Sequence, residues 1–430
     1  MRGLTFTGRA LGWSQMRLKN TVSSIKAGVW GEEPNGEDDL PVIRVADFDR
    51  NRLVAEQAPT LRAISMNERE GRLLESGDLL IEKSGGGDKT PAGTVVLYSM
   101  NVPAVCSNFL AAMKPAAGML SRYLVYLHAA LYSSGAIRVA IKQTTGIQNV
   151  DLEDYFDQQV ALPGLVEQTG IANFLDTETG RISALIEEKQ WLVALLAEKR
   201  RTVIADFLTK GLNKNAPRRD SGIPWLGEIP AHWNVRRAKV LFREIDDRST
   251  MGDETLLSLR MEKGLVPHND VSEKVIPSSE LIGYKRARTG QIVVNRMRAA
   301  SGLIAVVPQD GIVSPDYAVF EATGSVSPVY FALLFQTPLL QAVFRSESKG
   351  LGTGQSGFLR LYSENFLALH LPVPPFDEQQ AIVVHAQIET KKLNALSEAT
   401  ERTITLLQER RSALISAAVT GELAIGEATL

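Results

Sequence analysis

The chain has 430 residues, and its 47 Lys and Arg residues nearly balance 49 Asp and Glu residues, giving a net charge of −2. Apolar residues make up 44%, which excludes disorder throughout, and no apolar run approaches the roughly 18 residues that a membrane span needs. The single cysteine, Cys106, excludes an intramolecular disulfide, and we expect no signal peptide. These features predict a cytoplasmic protein of more than one domain, because a single core rarely exceeds about 250–300 residues.

The first segment, residues 1–161, is predicted to form an α/β module. Short β-rich runs alternate with turns at 41–46, 78–82 and 93–98. A helix is expected in the later third of the segment, at 121–131.

Residues 162–212 are predicted to form a long helix that the chain contains twice. Residues 167–212 align without a gap with 378–423, and 15 of the 46 aligned pairs are identical. Such a repeat indicates two copies of one supersecondary unit, so the segments outside the repeat are expected to play equivalent roles. A heptad pattern in both copies predicts an antiparallel, partial coiled-coil seam. Its apolar positions are Ile182, Leu185, Leu192, Leu196, Val203, Leu393, Leu396, Leu407 and Leu414.

Residues 213–370 are predicted to form a second α/β module, with strands at 255–259, 291–295 and 303–308 and a helix at 328–344. Its middle part carries five basic residues and no acidic residue. Such a cluster is typical of a phosphate-binding surface, and about equally of a solvated stretch that acids elsewhere in the fold balance. The five residues are Lys285, Arg286, Arg288, Arg296 and Arg298.

Residues 371–430 are predicted to hold the second repeated helix and a C-terminal tail. Asp377 is expected to cap this helix, with Gln380 three residues on as in a capping box. Gly211 and Gly421 stand where each helix would end in a left-handed turn. The predicted fold is therefore mixed α+β, with two α/β modules separated by two long antiparallel helices that form a coiled-coil spacer in a pseudo-twofold repeat.

Three sequence runs carry a resemblance to a known family. They are 221–233 (SGIPWLGEIPAHW), 311–315 (GIVSP) and 371–380 (LPVPPFDEQQ). Together with the repeated helix, they make the chain resemble, nearly end to end, the specificity subunit of type I restriction–modification systems. The Trp-Leu-Gly motif of the first run is absent near Trp13, so the first module departs from the pattern at its start.

The resemblance implies a DNA-binding subunit with no catalysis of its own. Each module would be a target recognition domain that reads one half of a split DNA sequence, and the helices would be a spacer of fixed length. The implied partners are double-stranded DNA, two copies of the modification (methyltransferase) subunit and a restriction (translocase and endonuclease) subunit. No cofactor is expected on this chain, since S-adenosylmethionine and ATP would bind to the partner subunits.

Four polar loops are candidates for contact with DNA, because specific recognition needs hydrogen-bonding groups that reach base edges and phosphates. Two follow predicted strands, at 83–90 and 296–301, and two precede the repeated helices, at 142–149 and 349–357. The candidate residues of these loops and of the basic cluster are Lys83, Ser84, Gly86, Lys89, Lys142, Gln143, Thr145, Gln148, Arg286, Arg288, Arg296, Arg298, Ser301, Lys349 and Gln355.

Two other functions fit the sequence less well. An adenine methyltransferase needs an Asn or Asp before Pro-Pro-aromatic, whereas this chain has Val373 before its only similar run, at 374–376. The run 352–357 matches G-x-G-x-x-G but does not lie between a strand and a helix, and the five histidines lack metal-ligand spacing. A coiled-coil scaffold that binds only protein would explain the repeat, but not two modules with Gly- and Arg-bearing loops.

Overall fold

The computed structural model describes residues 4, 12–58, 60–87, 90–144, 146–261, 263–351 and 358–425. The chain divides into two compact units. The first unit comprises Met1–Trp191 and Thr400–Leu430, and the second comprises Leu192–Ala399. Each unit therefore holds one module together with part of each long helix. The four-segment division of the chain made from its sequence remains a prediction.

The module of the first unit is built on a five-stranded sheet in the order β2-β10-β6-β8-β4. Helix α2 packs against the sheet. Most of its side chains are apolar and buried in the core of the module. The strands are β1 Ser14–Arg17, β2 Val22–Ala27, β3 Asp39–Ile43, β4 Val54–Ala55, β5 Leu61–Ala63, β6 Leu79–Glu82, β7 Ser84–Gly85, β8 Val95–Tyr98, β9 Val105–Cys106, β10 Leu110–Pro115, β11 Ile141–Thr144, β12 Ile147–Val150 and β13 Gln159–Leu162; the helices are α1 Met66–Arg69, α2 Ser121–Ser133 and α3 Leu152–Phe156.

The module of the second unit is built on a four-stranded sheet in the order β17-β24-β21-β22. Its strands are β14 Arg218–Asp220, β15 Glu228–Pro230, β16 Asn234–Arg237, β17 Phe242–Ile245, β18 Leu257–Arg260, β19 Gly264–Pro267, β20 Lys285–Ala287, β21 Ile292–Asn295, β22 Ile304–Val306, β23 Gly311–Val313, β24 Tyr317–Ala322, β25 Lys349–Leu351, β26 Phe358–Arg360 and β27 His370–Val373; its helices are α5 Ala238–Leu241, α6 Ser278–Leu281, α7 Pro328–Phe335, α8 Pro338–Glu347 and α9 Ser363–Ala368.

The two modules share one topology. Strand order β2-β10-β6-β8 in the first matches β17-β24-β21-β22 in the second, and all of the pairings are antiparallel. Strand β1 pairs with β13 at the edge of the first module, as β16 pairs with β27 in the second. The internal repeat predicted from the sequence is thus confirmed, and it extends to modules whose sequences have diverged.

The predicted helix at 328–344 is wrong in one respect, because the structure has two helices there. Helix α7 ends before Gln336, and Thr337 caps α8 by accepting a hydrogen bond from the backbone N–H of Leu340. Pro338 has no N–H to continue the first helix, and it stands at the first position of α8, where none is needed.

The repeated segments form two long continuous helices, α4 Leu165–Lys210 and α10 Phe376–Val419. The pairing is antiparallel. In the second unit Arg200 donates a hydrogen bond to Asn394 at 2.7 Å, and the rings of Phe207 and His385 lie 6.4 Å apart. In the first unit, residues from the start of α4 and the end of α10 share one hydrophobic core. No helix in the described ranges has an apolar stretch long enough to cross a membrane.

Seven of the nine predicted seam residues are buried or half-buried, and two are exposed. Ile182, Leu196 and Leu393 are buried, and Leu192, Val203, Leu407 and Leu414 are half-buried, but Leu185 and Leu396 are 43% and 49% exposed. The buried face instead includes the next residue, as Ile186 is buried where Leu185 is not. The spacing between successive seam residues is therefore four and then three residues, rather than three and then four. A wide apolar stripe on a helix is compatible with either spacing, so the sequence does not distinguish them.

The helix ends follow the prediction at one end only. Gly211 and Gly421 have φ angles of +74° and +77°, the left-handed conformation that ends a helix. Asp377, however, is not a cap. Helix α10 already begins at Phe376, so Asp377 lies in its first turn. Its negative charge there interacts favourably with the positive end of the helix dipole.

Matching side chains attach each long helix to its module. Glu167 accepts a hydrogen bond from the indole N–H of Trp13 at 3.1 Å, and Glu378 accepts one from Trp233 at 3.0 Å. The next residue in each copy, Gln168 or Gln379, is buried. Its side-chain oxygen accepts a backbone N–H of the module, and its amide donates to the backbone carbonyl of a residue just before the long helix. This shared attachment explains why Glu-Gln stands at the start of both copies of the repeat.

Candidate nucleic-acid interface

The loop after β6 in the first module is anchored at its start. Lys83 is half-buried, and its backbone carbonyl accepts the N–H of Val150, while the Ser84 hydroxyl donates to the Asn149 side chain at 2.7 Å. Gly86 has a φ of +63°, and a Cβ there would lie 2.3 Å from the backbone nitrogen of Ala92, so glycine is required. Of the candidates in this loop, Lys89 lies outside the described residues.

The second loop of the first module is the β11–β12 hairpin. Gln148 is buried, and its side-chain oxygen accepts the N–H of Ala92 at 3.1 Å, so this oxygen is engaged within the module. Lys142 is exposed and paired with Asp151, and that hydrogen bond raises the pKa of Lys142 and lowers the pKa of Asp151. Gln143 is exposed, and Thr145 lies outside the described residues.

The loop after β21 in the second module presents its two arginines differently. The Arg296 guanidinium donates to the backbone carbonyls of Asp316 at 2.8 Å and Pro315 at 3.3 Å, so it holds the neighbouring turn. Arg298 is exposed, and its guanidinium makes no hydrogen bond or ion pair with the residues that the structure describes. Ser301 is also exposed. The backbone positions Arg298, because its N–H donates to the Asn295 side chain at 3.2 Å.

Much of the basic cluster is neutralised by neighbouring carboxylates. Lys285 is buried, within 3.7 Å of Glu244 and 3.5 Å of Asp246. Arg286 bonds to Glu254 at 2.7 Å, which raises the pKa of Arg286. Arg288 lies 3.5 Å from Asp247, although its side chain is mostly exposed. The alternative of a stretch balanced by acids elsewhere therefore applies to Lys285 and Arg286, and Arg298 carries the unpaired charge.

The remaining candidates lie on the β25–β26 hairpin, which occupies the place of β11–β12 in the first module. Lys349 is exposed on β25, opposite Arg360 of β26. Gln355, together with the rest of the run 352–357, lies outside the described residues.

Neither a metal cluster nor a reactive thiol is present among the described residues. Among them, no cluster of three or more His, Cys, Asp or Glu side chains is arranged to hold a metal ion. Cys106 is buried, and burial raises the pKa of its thiol to about 12, which keeps it protonated and unreactive near neutral pH.

Two solved structures match this chain nearly end to end. One is the HsdS subunit from Thermoanaerobacter tengcongensis, with 15% identity, coverage of 96% of this chain and 97% of that chain, and a TM-score of 0.52. The other comes from work on the complex assembly and conformational transition of the type I R-M system, with 16% identity, coverage of 96% and 98%, and a TM-score of 0.63. The chain has the fold of an HsdS subunit.

The family resemblance drawn from the sequence is thus confirmed at the level of the fold, and so is the predicted fold class. No protein-family model matches the sequence, and no curated protein matches it significantly. The match covers 96% of the chain in both comparisons, so it spans most of both modules and both long helices.

Proposed function

We propose that this chain is the DNA-recognition subunit of a type I restriction–modification system, and that it has no catalytic activity of its own. Each module would read one half of a bipartite target in double-stranded DNA. The chain would direct a methyltransferase and a restriction subunit to that target, and those partners would bind S-adenosylmethionine and ATP. The observation that carries the proposal is the HsdS fold over 96% of the chain.

The internal repeat supports a bipartite target. Two modules of one topology place loops at equivalent positions, after β6 and after β21, yet these loops differ in sequence and chemistry. A protein with two similar frameworks and two different reading surfaces suits two unlike half-sites whose separation is set by geometry. The long antiparallel helices would then serve as the spacer.

Exposed leucines on the helices support two copies of one partner. Leu185 and Leu396 occupy equivalent positions in the repeat, as do Leu195 and Leu406, and all four are more than 40% exposed. The first unit carries Leu185 and Leu406, and the second carries Leu396 and Leu195. Single exposed leucines are common, but the same pair in both units fits two copies of a modification subunit that bind in the same manner.

The proposal is tested by co-expressing the chain with its modification subunit and mapping N6-methyladenine in the host DNA at single-base resolution. We expect a split motif, methylated on both strands, that disappears when this chain is omitted. A stable complex that adds no methylation at any motif would contradict the recognition function and favour a scaffold that binds only protein.

Arg298→Ala is expected to weaken binding of the assembled complex to one half-site. Because the guanidinium is exposed and unpaired among the described residues, it is free to bond guanine bidentately, a contact worth about 1–3 kcal/mol. The measurement is the Kd for the mapped target and for targets changed at each base pair of either half-site. Specificity should relax at one position.

Arg243→Ala is the matched control, since Arg243 is an exposed arginine of the same module that pairs with Glu321 at 2.6 Å. It should leave the Kd values unchanged. If Arg298→Ala instead lowers affinity equally for all sequences, Arg298 contacts phosphate and does not read a base.

A further inference from the structure

A cleft of about 460 Å³ opens in the first module beside the loop after β6, and most of the residues that line it are not among the predicted DNA contacts. Its walls include Ser84, Gly85 and Gly86 of that loop and the turn 107–109 that leads into β10. Trp30 and Phe109 also line it, and their side chains are 37% and 45% exposed. Exposed aromatic side chains that share a cleft with polar groups are a feature of binding sites.

Asn108 gives this cleft a hydrogen-bonding group. The residue is exposed at the tip of the turn, where the backbone N–H of Leu110 bonds to the carbonyl of Ser107 at 2.9 Å. Within the described ranges, the Asn108 carboxamide makes no hydrogen bond, so both its donor and its acceptor are free. The buried strands β9 and β10 hold the turn on either side, which fixes the position of the carboxamide.

The equivalent surface of the second module has different chemistry. Strand pairing aligns Leu79 with Ile292 and Met113 with Phe320, so Gly85 corresponds to Arg298 and Asn108 to Pro315. Phe109 corresponds to Asp316, which lies 3.5 Å from Arg360. At these positions the first module therefore presents a carboxamide and an aromatic ring, where the second presents Pro315 and a charged side chain. Arg44 and Glu82 also line the cleft of the first module, and each is paired with a neighbouring charge, Asp47 and Arg50 respectively. The two surfaces are suited to different base pairs.

We propose that the cleft of the first module reads an A·T base pair in the major groove. Asn108 bonds the N6 amino group and N7 of adenine, and Phe109 contacts the 5-methyl group of the paired thymine. A carboxamide matches the donor–acceptor pattern of adenine, and an aromatic side chain suits the thymine methyl. The proposal rests on the proposed DNA-recognition function and adds the base pair and the residues that read it.

The test measures Kd for the complex with its modification subunit on duplexes that carry the mapped target. At each A·T pair in turn, 7-deazaadenine replaces adenine and removes N7, or uracil replaces thymine and removes the methyl group. At one pair of one half-site, we expect 7-deazaadenine to weaken binding about 5-fold or more. Uracil at the same pair should weaken it about fourfold, the value of one buried methyl group.

Two variants then assign the contacts. Asn108→Ala should bind the unmodified target about 5- to 150-fold more weakly and lose its sensitivity to 7-deazaadenine at that pair alone. Phe109→Ser should lose the sensitivity to uracil at the same pair. Asn101→Ala, an exposed asparagine that does not line the cleft, should behave as the wild type. Thermal unfolding confirms that each variant is folded.

The outcomes separate this inference from the proposed function. If the wild-type complex binds the target specifically and both variants keep wild-type sensitivity at every A·T pair, the cleft does not read DNA, while the recognition function stands. If the wild-type complex shows no preference for any sequence, the recognition function itself is wrong.

Discussion

Leu196→Asp is expected to lower the free energy of unfolding of the second unit by about 3 kcal/mol or more, because it places an unpaired carboxylate on a buried helix face. Leu196 is 7% exposed, on the face of α4 where Arg200, one turn further on, bonds to Asn394 of α10. The substitution removes the burial of a leucine and adds the cost of desolvating a charge. Urea denaturation followed by circular dichroism measures the change.

The control for this substitution is Leu185→Asp, on the same helix. Both leucines belong to the seam predicted from the sequence, but Leu185 is 43% exposed. An aspartate there stays in water, so we expect a change in unfolding free energy within about 0.5 kcal/mol. Equal destabilisation by both substitutions would contradict the corrected seam. Leu185→Asp should weaken binding of the modification subunit if that face is a docking surface.

Gln379→Ala is expected to destabilise the second unit by about 2–4 kcal/mol, since it leaves a buried donor and a buried acceptor unpaired. The side-chain oxygen of Gln379 accepts the N–H of Ser327 at 2.8 Å, and its amide donates to the carbonyl of Pro374 at 2.9 Å. Gln379 is fully buried, so water cannot replace either bond. The bond with Ser327 connects the start of α10 to the start of α7, and the bond with Pro374 holds the residues that lead into α10.

The neighbouring Gln380 is exposed and provides the control, since Gln380→Ala removes the same atoms from a site in solvent. Its thermal unfolding temperature should match that of the wild type. The repeat supplies a second test in the first unit, where Gln168 accepts the N–H of Leu120 at 2.9 Å. A Gln168→Ala variant that unfolds like the wild type would show that the attachment of helix to module contributes little stability.

Several identical pairs of the repeat perform the same structural task twice. Glu167 and Glu378 each accept an indole N–H, and Gln168 and Gln379 each satisfy buried backbone groups. Thr209 and Thr420, another identical pair, each donate their hydroxyl to the carbonyl four residues earlier. The loops after β6 and β21 differ in their contacts, since Gly86 fits against the backbone of Ala92 whereas Arg298 is exposed.

The sequence by itself determined the two-module layout, the two long helices and the resemblance to a specificity subunit. These follow from an exact offset between identical residues and from local signals such as Gly211, which require no knowledge of packing. It also pointed to the loop that holds Arg298, since that loop follows a recognisable strand.

Only the tertiary structure decided which of these residues are buried in the helix seam and which charged side chains are paired within the chain. Leu185 or Ile186 could line the seam until the burial of Ile186 was seen, because adjacent positions on an apolar stripe differ only in what packs against them. Arg286 and Arg298 read alike in the sequence, yet Glu254 neutralises the first. The partners of a charge or an amide come from distant parts of the chain, and local patterns cannot report them.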